Sequence, residues 1–147
     1  MNPDFVELLR AFNVADVRFL VVGAYAVTFH TRPRATADLD LWIEPTLDNA
    51  PKVIQALRAF GAPLDEIAES DFAQPGITFQ IGVAPRRIDM LTELSGLGFD
   101  QAWPDRVQAE LGGCPVCFIG RQALIQNKRA TGRPKDLVDL EVLEDDA

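Results

Sequence analysis

Phe5, Leu8, Leu9 and Phe12 recur at spacings of three and four behind Asn2-Pro3, predicting a helix over about residues 3–13 with the asparagine as its cap. From Arg18 to Val22 the chain is a short run dense in Phe, Leu and Val that ends at Gly23, the pattern of a buried strand. Residues 24–30 then read as a helix that must stop before Thr31-Arg32-Pro33, because a residue preceding proline avoids the helical region. Residues 38–44 alternate with period two. Leu39, Leu41 and Ile43 fall on one face of a strand, while Asp38, Asp40 and Trp42 share the other.

A helix opening between Thr46 and Pro51 carries Val53, Ile54, Leu57 and Phe60 and ends at Gly61. Residues 64–72 suggest a short acidic helix, and 76–82 and 86–92 suggest two strands of a hairpin joined through Val83-Ala84-Pro85. Between 93 and 113 the pattern is weak, with a helix near 103–111 as its reading, and 116–119 is a last strand. Two helices, 121–130 and 134–143, break at Thr131-Gly132 and form a helical hairpin. With no repeat, linker or low-complexity tract, the expectation is a single α+β domain over residues 1–147, in which helices pack against one mixed sheet.

Composition narrows the function classes. The 147 residues are 48% hydrophobic and 24% charged, which suits a globular chain with a substantial core. Twenty-two acids against fourteen Lys and Arg give a formal charge of −8, so attraction of the whole body to nucleic acid or an anionic membrane is disfavoured. Any polyanion must be met locally. No apolar run approaches a membrane span, and Met-Asn-Pro-Asp lacks the features of a signal peptide, so the expected location is the cytoplasm.

The aspartates are the candidate chemistry. Two carboxylates at i and i+2 on one strand face lie about 6–7 Å apart and repel, so something must compensate them or they face bulk water on an edge strand. A third acid, Asp89, sits in the strand-like Arg86-Arg-Ile-Asp-Met-Leu91. Were that strand to lie beside the first, three hard oxygen donors would converge and a divalent cation such as Mg²⁺ would relieve the repulsion. Gly23, between a strand and a helix, would let a phosphate approach the backbone and the free N–H groups of the helix; glycine is also used at such turns for its dihedrals alone. Eight of the fourteen bases are gathered in three clusters: Arg32 and Arg34, Arg86 and Arg87, and Lys128, Arg129, Arg133 and Lys135. Such groups suit triphosphate oxygens. Arg129 and Arg32 read equally as solvated surface, and Arg133 and Lys135 as partners of Asp136 and Asp139.

Gly23-Ala24, thirteen residues, Asp38-Leu39-Asp40 and then a later strand with Asp89 resemble the nucleotidyltransferase superfamily that includes DNA polymerase beta. The stretches Arg34-Ala-Thr36-Ala-Asp38-Leu-Asp40 and Lys128-Arg-Ala-Thr-Gly-Arg133-Pro-Lys135-Asp136-Leu-Val-Asp139 are similar to minimal bacterial nucleotidyltransferases related to AbiEii-type toxins. The likeness spans roughly residues 18–143. It implies a nucleotidyltransferase-like fold and transfer of a nucleoside monophosphate from a nucleoside triphosphate to a hydroxyl of RNA such as a tRNA 3′ end, of protein or of a small molecule. It also implies two Mg²⁺ ions, or Mn²⁺, held by Asp38, Asp40 and Asp89, with Asp89 assisting the attacking hydroxyl. Triphosphate contacts would fall to Gly23, Ala24, Arg34, Thr36, Lys128, Arg133 and Lys135, and a cognate toxin or antitoxin would be a partner. The chain departs from the motif at Ala24, where the superfamily has Gly or Ser and a hydroxyl could meet phosphate. The competing expectation is a non-catalytic nucleotide- or partner-binding module of the same fold; a metal-dependent nuclease is a third.

Other residues carry less. Cys114-Pro-Val-Cys117 has neither a second pair nor neighbouring histidines for zinc and overlaps a strand, so its reading is structural. His30, the sole histidine, has no serine partner for a hydrolytic triad. Trp42 could stack on a base, although an aromatic in a strand more often serves packing.

Overall fold

The structure, a computed structural model, describes residues 1–32 and 38–145. Helix α1 (Pro3–Val14) starts where the Asn2 side chain accepts a hydrogen bond from the Asp4 N–H at 2.8 Å, and it buries Phe5, Leu8, Leu9 and Phe12. Each such side chain removed from water contributes about 1.5–3 kcal/mol. That face packs against α3 (Ala50–Phe60), which buries Val53, Ala56 and Leu57 and closes on Gly61 at φ 90°, the left-handed cap its glycine makes accessible.

Among the described residues six strands, β1 (Phe19–Val22), β2 (Leu39–Ile43), β3 (Thr78–Ile81), β4 (Ile88–Leu91), β5 (Val107–Leu111) and β6 (Cys114–Phe118), form one mixed sheet in the order β3-β4-β2-β1-β6-β5. Central β1 (Phe19–Val22) is buried at every position and runs antiparallel to β2 (Leu39–Ile43) and parallel to β6 (Cys114–Phe118). On its other side β2 is parallel to β4 (Ile88–Leu91), which pairs antiparallel with β3 (Thr78–Ile81) in the expected hairpin. Helix α2 (Gly23–His30) follows β1 without an intervening loop. The C-terminal hairpin is α5 (Arg121–Thr131), Gly132 at φ 60°, and α6 (Pro134–Asp145), with the two helices packed on each other. Arg121 ties its base to the rest of the fold, donating to the Leu143 carbonyl at 2.7 Å and to the His30 carbonyl at the end of α2.

Three sequence expectations are corrected. No acidic helix runs over 64–72; a single 3-10 turn, Glu69–Ala73, starts where Asp71 accepts from the Ala68 N–H, and it ends before Gln74-Pro75, where the residue preceding proline must be extended. Nor does a helix occupy 103–111. A short α4 (Phe99–Ala102) and a 3-10 turn at Trp103–Asp105 give way to β5 (Val107–Leu111), which forms a hairpin with β6 through Gly112 and Gly113 at φ 59° and 82°. A two-residue loop with both residues left-handed is the turn that matches strand twist, so the Gly-Gly pair was the legible signal. The last strand accordingly begins at Cys114, ahead of the expected 116.

Candidate active site

The register of the sheet builds the site. Asp40 of β2 is paired with Val22 of β1 on one side and with Asp89 of β4 on the other, so two carboxylates stand on neighbouring strands roughly 4.8 Å apart. Asp38 lies just before β2, where its carboxylate accepts the Arg87 backbone N–H at 3.0 Å. Because β1 ends at Val22 opposite Asp40, the next residue turns directly over that carboxylate. Gly23 does so at φ 66°, and a Cβ there would sit 2.1 Å from Asp40 Oδ2. Glycine is required at this position twice over, for the dihedral and for the space.

The three aspartates, Gly23 and Ala24 line one cleft of about 780 Å³ together with Leu91, Glu93, Leu94 and Ser95 and residues of the α5–α6 hairpin. The first turn of α2 enters this cleft with no side chain capping it, leaving backbone N–H donors beside the carboxylates. Lys128, Arg133 and Lys135 line the same cleft. The structure therefore brings together the expected acids, the glycine turn and three of the expected bases. Arg34 and Thr36 lie outside the described residues.

The bases differ in their engagements. Lys128 is buried and sits 3.2 Å from both Asp136 Oδ1 and Asp139 Oδ2, holding α6 against α5. Arg133 pairs with Asp136 at 2.7 Å yet keeps its side chain 57% exposed, and Lys135 is exposed and adds positive potential at Asp40. Fully buried Asp136 also accepts the Arg133 N–H at the start of α6; burial opposes its ionisation, but the hydrogen bonds from Arg133, Thr131 and Lys128 outweigh it and hold the carboxyl well below the usual range. Arg87 is the residue whose place the sequence did not disclose. Its guanidinium forks onto Asp89, Nε to Oδ1 at 2.7 Å and Nη2 to Oδ2 at 3.2 Å, and reaches Asp38 Oδ2 at 3.6 Å. Its neighbour Arg86 instead lines a different recess with Met1, Phe5 and Tyr25.

Asp40 has the least compensation. Burial, then the charges of Asp89 and Asp38, push its carboxyl up to about 6 against the weaker pull of Lys135 and Arg87. Three carboxylates beside one cleft are a hard-oxygen donor set of the kind that Mg²⁺ takes, and a carboxyl raised by its like-charged neighbours is one a cation would relieve. The chemistry of the set fits the ion. Among the described residues, no three His, Cys, Asp or Glu side chains stand close enough to share one ion as they are arranged, with Asp89 and Asp38 turned to the Arg87 fork.

The remaining candidates occupy packed or surface positions away from the cleft. Trp42 is buried at 1% exposure with its ring edge-to-face to Phe99 at 5.1 Å, so it offers no platform for a base. Cys114 and Cys117 are both free thiols on β6, three residues apart and hence on opposite faces of the strand. His30 Nε2 is 2.7 Å from the Ile119 carbonyl, and burial lowers its pKa. Arg129 pairs with Glu144 in solvent, and Arg32 is exposed.

Comparison with solved structures decides the fold. The lincosamide antibiotic adenylyltransferase LnuA, with lincomycin bound, superposes at TM-score 0.62 and 12% identity over 100% of this chain and 98% of that one. The chain has the nucleotidyltransferase fold. The antibiotic-resistance factor ANT(2'')-Ia aligns at TM-score 0.61 and 14% identity over 95% of this chain and 80% of that one. Its complex with adenylyl-2''-tobramycin gives 0.60 and 15% over 95% and 84%. No protein-family model matches the chain, and no curated protein matches its sequence. Within the nucleotidyltransferase fold, the narrower likeness to AbiEii-type toxins rests on the sequence motifs alone.

Proposed function

We propose that the protein is a metal-dependent nucleotidyltransferase that transfers a nucleoside monophosphate from a nucleoside triphosphate to a hydroxyl acceptor. The observation that carries this is the in-register pair Asp40 and Asp89 beside the uncapped first turn of α2, with Asp38 and Gly23 adjoining. Asp38, Asp40 and Asp89 would hold Mg²⁺ or Mn²⁺, two ions in the full site, which when bound neutralise charge on the triphosphate and lower the pKa of the acceptor hydroxyl. The α2 backbone donors at Gly23 and Ala24 orient the phosphates, and Arg133 and Lys135, which line the same cleft, meet their outer oxygens; the motif resemblance alone adds Arg34 and Thr36. Lys128 supports that edge and can share a phosphate contact through its ammonium donors. Asp89 takes the proton of the acceptor hydroxyl; the oxygen bonds to the α-phosphorus, and the bond from that phosphorus to the departing pyrophosphate breaks.

A small-molecule hydroxyl is the favoured acceptor. Two fold neighbours are named for antibiotic substrates and match this chain over most of their length, and the charge of −8 disfavours a large RNA surface. A toxin–antitoxin role in the cytoplasm is the reading the AbiEii-like motifs support; it predicts growth arrest on expression of the chain alone and rescue by a cognate partner.

The decisive experiment incubates the protein with Mg²⁺ and each α-labelled triphosphate, offering aminoglycosides, lincosamides, total RNA and protein as acceptors. Label transfer that falls by at least about a thousandfold in Asp40→Ala or Asp89→Ala is the expected result. Nucleotide binding without transfer to any acceptor would instead establish a non-catalytic module.

A further inference from the structure

We propose that the Arg87 guanidinium is a resident counter-cation that a divalent metal must displace from Asp38 and Asp89. The inference rests on the metal site proposed above and concerns how that site is filled. Both oxygens of Asp89 are taken by the Arg87 fork, at 2.7 and 3.2 Å, and Asp38 Oδ2 lies 3.6 Å from Nη2 of the same group. The other Asp38 oxygen accepts the Arg87 backbone N–H. One residue thus engages two of the three acids through both its main chain and its side chain.

A guanidinium and a metal ion cannot share these oxygens productively. The former has five donors, no acceptor and a permanent charge, so it can neither ligate the ion nor be neutralised by losing a proton to make room. Exchange needs no unpacking of the core, because the Arg87 side chain lines the cleft, is one-third exposed and lies outside the set of buried core residues. Asp40 lies outside the fork, beside Asp89 in the sheet register. Without metal, Arg87 offsets part of the repulsion among the three acids; with metal, the guanidinium is released at the cleft mouth, where phosphate oxygens are suitable new partners. The metal-free protein is accordingly ordered at the expense of affinity for the bare ion.

The test measures Mn²⁺ binding to the full chain without nucleotide, following free Mn²⁺ by electron paramagnetic resonance. Arg87→Gln is expected to tighten binding roughly tenfold, the scale of a lost charged hydrogen-bonding competitor. Arg87→Lys, which keeps the charge but not the fork, is expected to gain less and serves if the first variant folds poorly. Arg86→Gln makes the same charge change in a neighbouring recess and is expected to shift binding less than about twofold. Asp89→Asn should weaken it. Unchanged or weaker binding in both Arg87 variants, or an equal gain in Arg86→Gln, overturns the proposal; if Asp89→Asn still loses binding, the metal reading stands without it. Absence of Mn²⁺ binding in every protein, wild type included, overturns both.

Discussion

At Gly23 a methyl group would collide with Asp40, 2.1 Å from Oδ2, 2.9 Å from Cγ and 3.0 Å from Cβ, while the backbone would be held at a φ of 66° that L residues adopt reluctantly. These two effects separate in a measurement. Gly23→Ala should cost about 1–2 kcal/mol in chemical denaturation for the dihedral and more for the clash with the root of Asp40, and it should reduce transfer further than stability because the displaced carboxylate is a proposed metal ligand. Asp40 itself makes the converse case. Its carboxyl sits at about 6 in the folded protein, above its value in an unfolded chain, so the native state binds more protons between about pH 4 and 6 and metal-free stability falls as pH rises through that window. Asp40→Asn removes this liability. The variant should match the wild type near pH 4 and exceed it by about 1–3 kcal/mol above pH 6, in denaturation without metal, while losing transfer. A wild type as stable as Asp40→Asn at pH 8 would show that the repulsion is already relieved.

Between elements, the α5–α6 hairpin is held by a buried ionic cluster beneath the cleft. Lys128 on α5 meets Asp136 and Asp139 on α6, and Asp136, with no exposed surface, also takes the Arg133 fork and the N–H that opens α6. Removing one member strands the others. Asp136→Asn should destabilise the protein by about 3–5 kcal/mol at neutral pH, because it leaves a buried ammonium without one of its two counter-ions. The folded pKa of Asp136 is depressed, so its contribution is present above the unfolded carboxyl value and lost as pH falls below it; the variant and wild type should converge in acid melting curves. A loss below 1 kcal/mol would mean that Asp139 alone satisfies Lys128. This cluster also shows how a Lys and an Arg that resemble triphosphate ligands in sequence differ in their engagements: Lys128 lines the cleft while buried between two aspartates, and Arg133 keeps an exposed side chain there.

Over the whole molecule, a net charge of −8 coexists with a cleft where bases from α5, α6 and the approach to β4 face three acids. Local pattern, periodicity together with Pro and Gly at helix ends, located α1, α3, α5, α6 and the strands around the aspartates, because an amphipathic face is written in neighbours three, four or two residues apart and a helix end in its breaker residues. It failed at 64–72 and 103–111, where Pro75 and Gly112-Gly113 imposed local geometry that weak apolar patterns did not announce. What the chain determined by itself was thus local: which segments coil, which extend, that Asp38 and Asp40 flank the start of one strand, and that Gly23 ends another. Tertiary structure decided the rest. Only the parallel pairing of β4 with β2 sets Asp89 beside Asp40, and only folding shows that Arg87 spans two of the acids while Arg86 turns elsewhere. Those relations join residues some fifty positions apart, and the register of a sheet is chosen by the burial of whole faces, which no short stretch of sequence encodes.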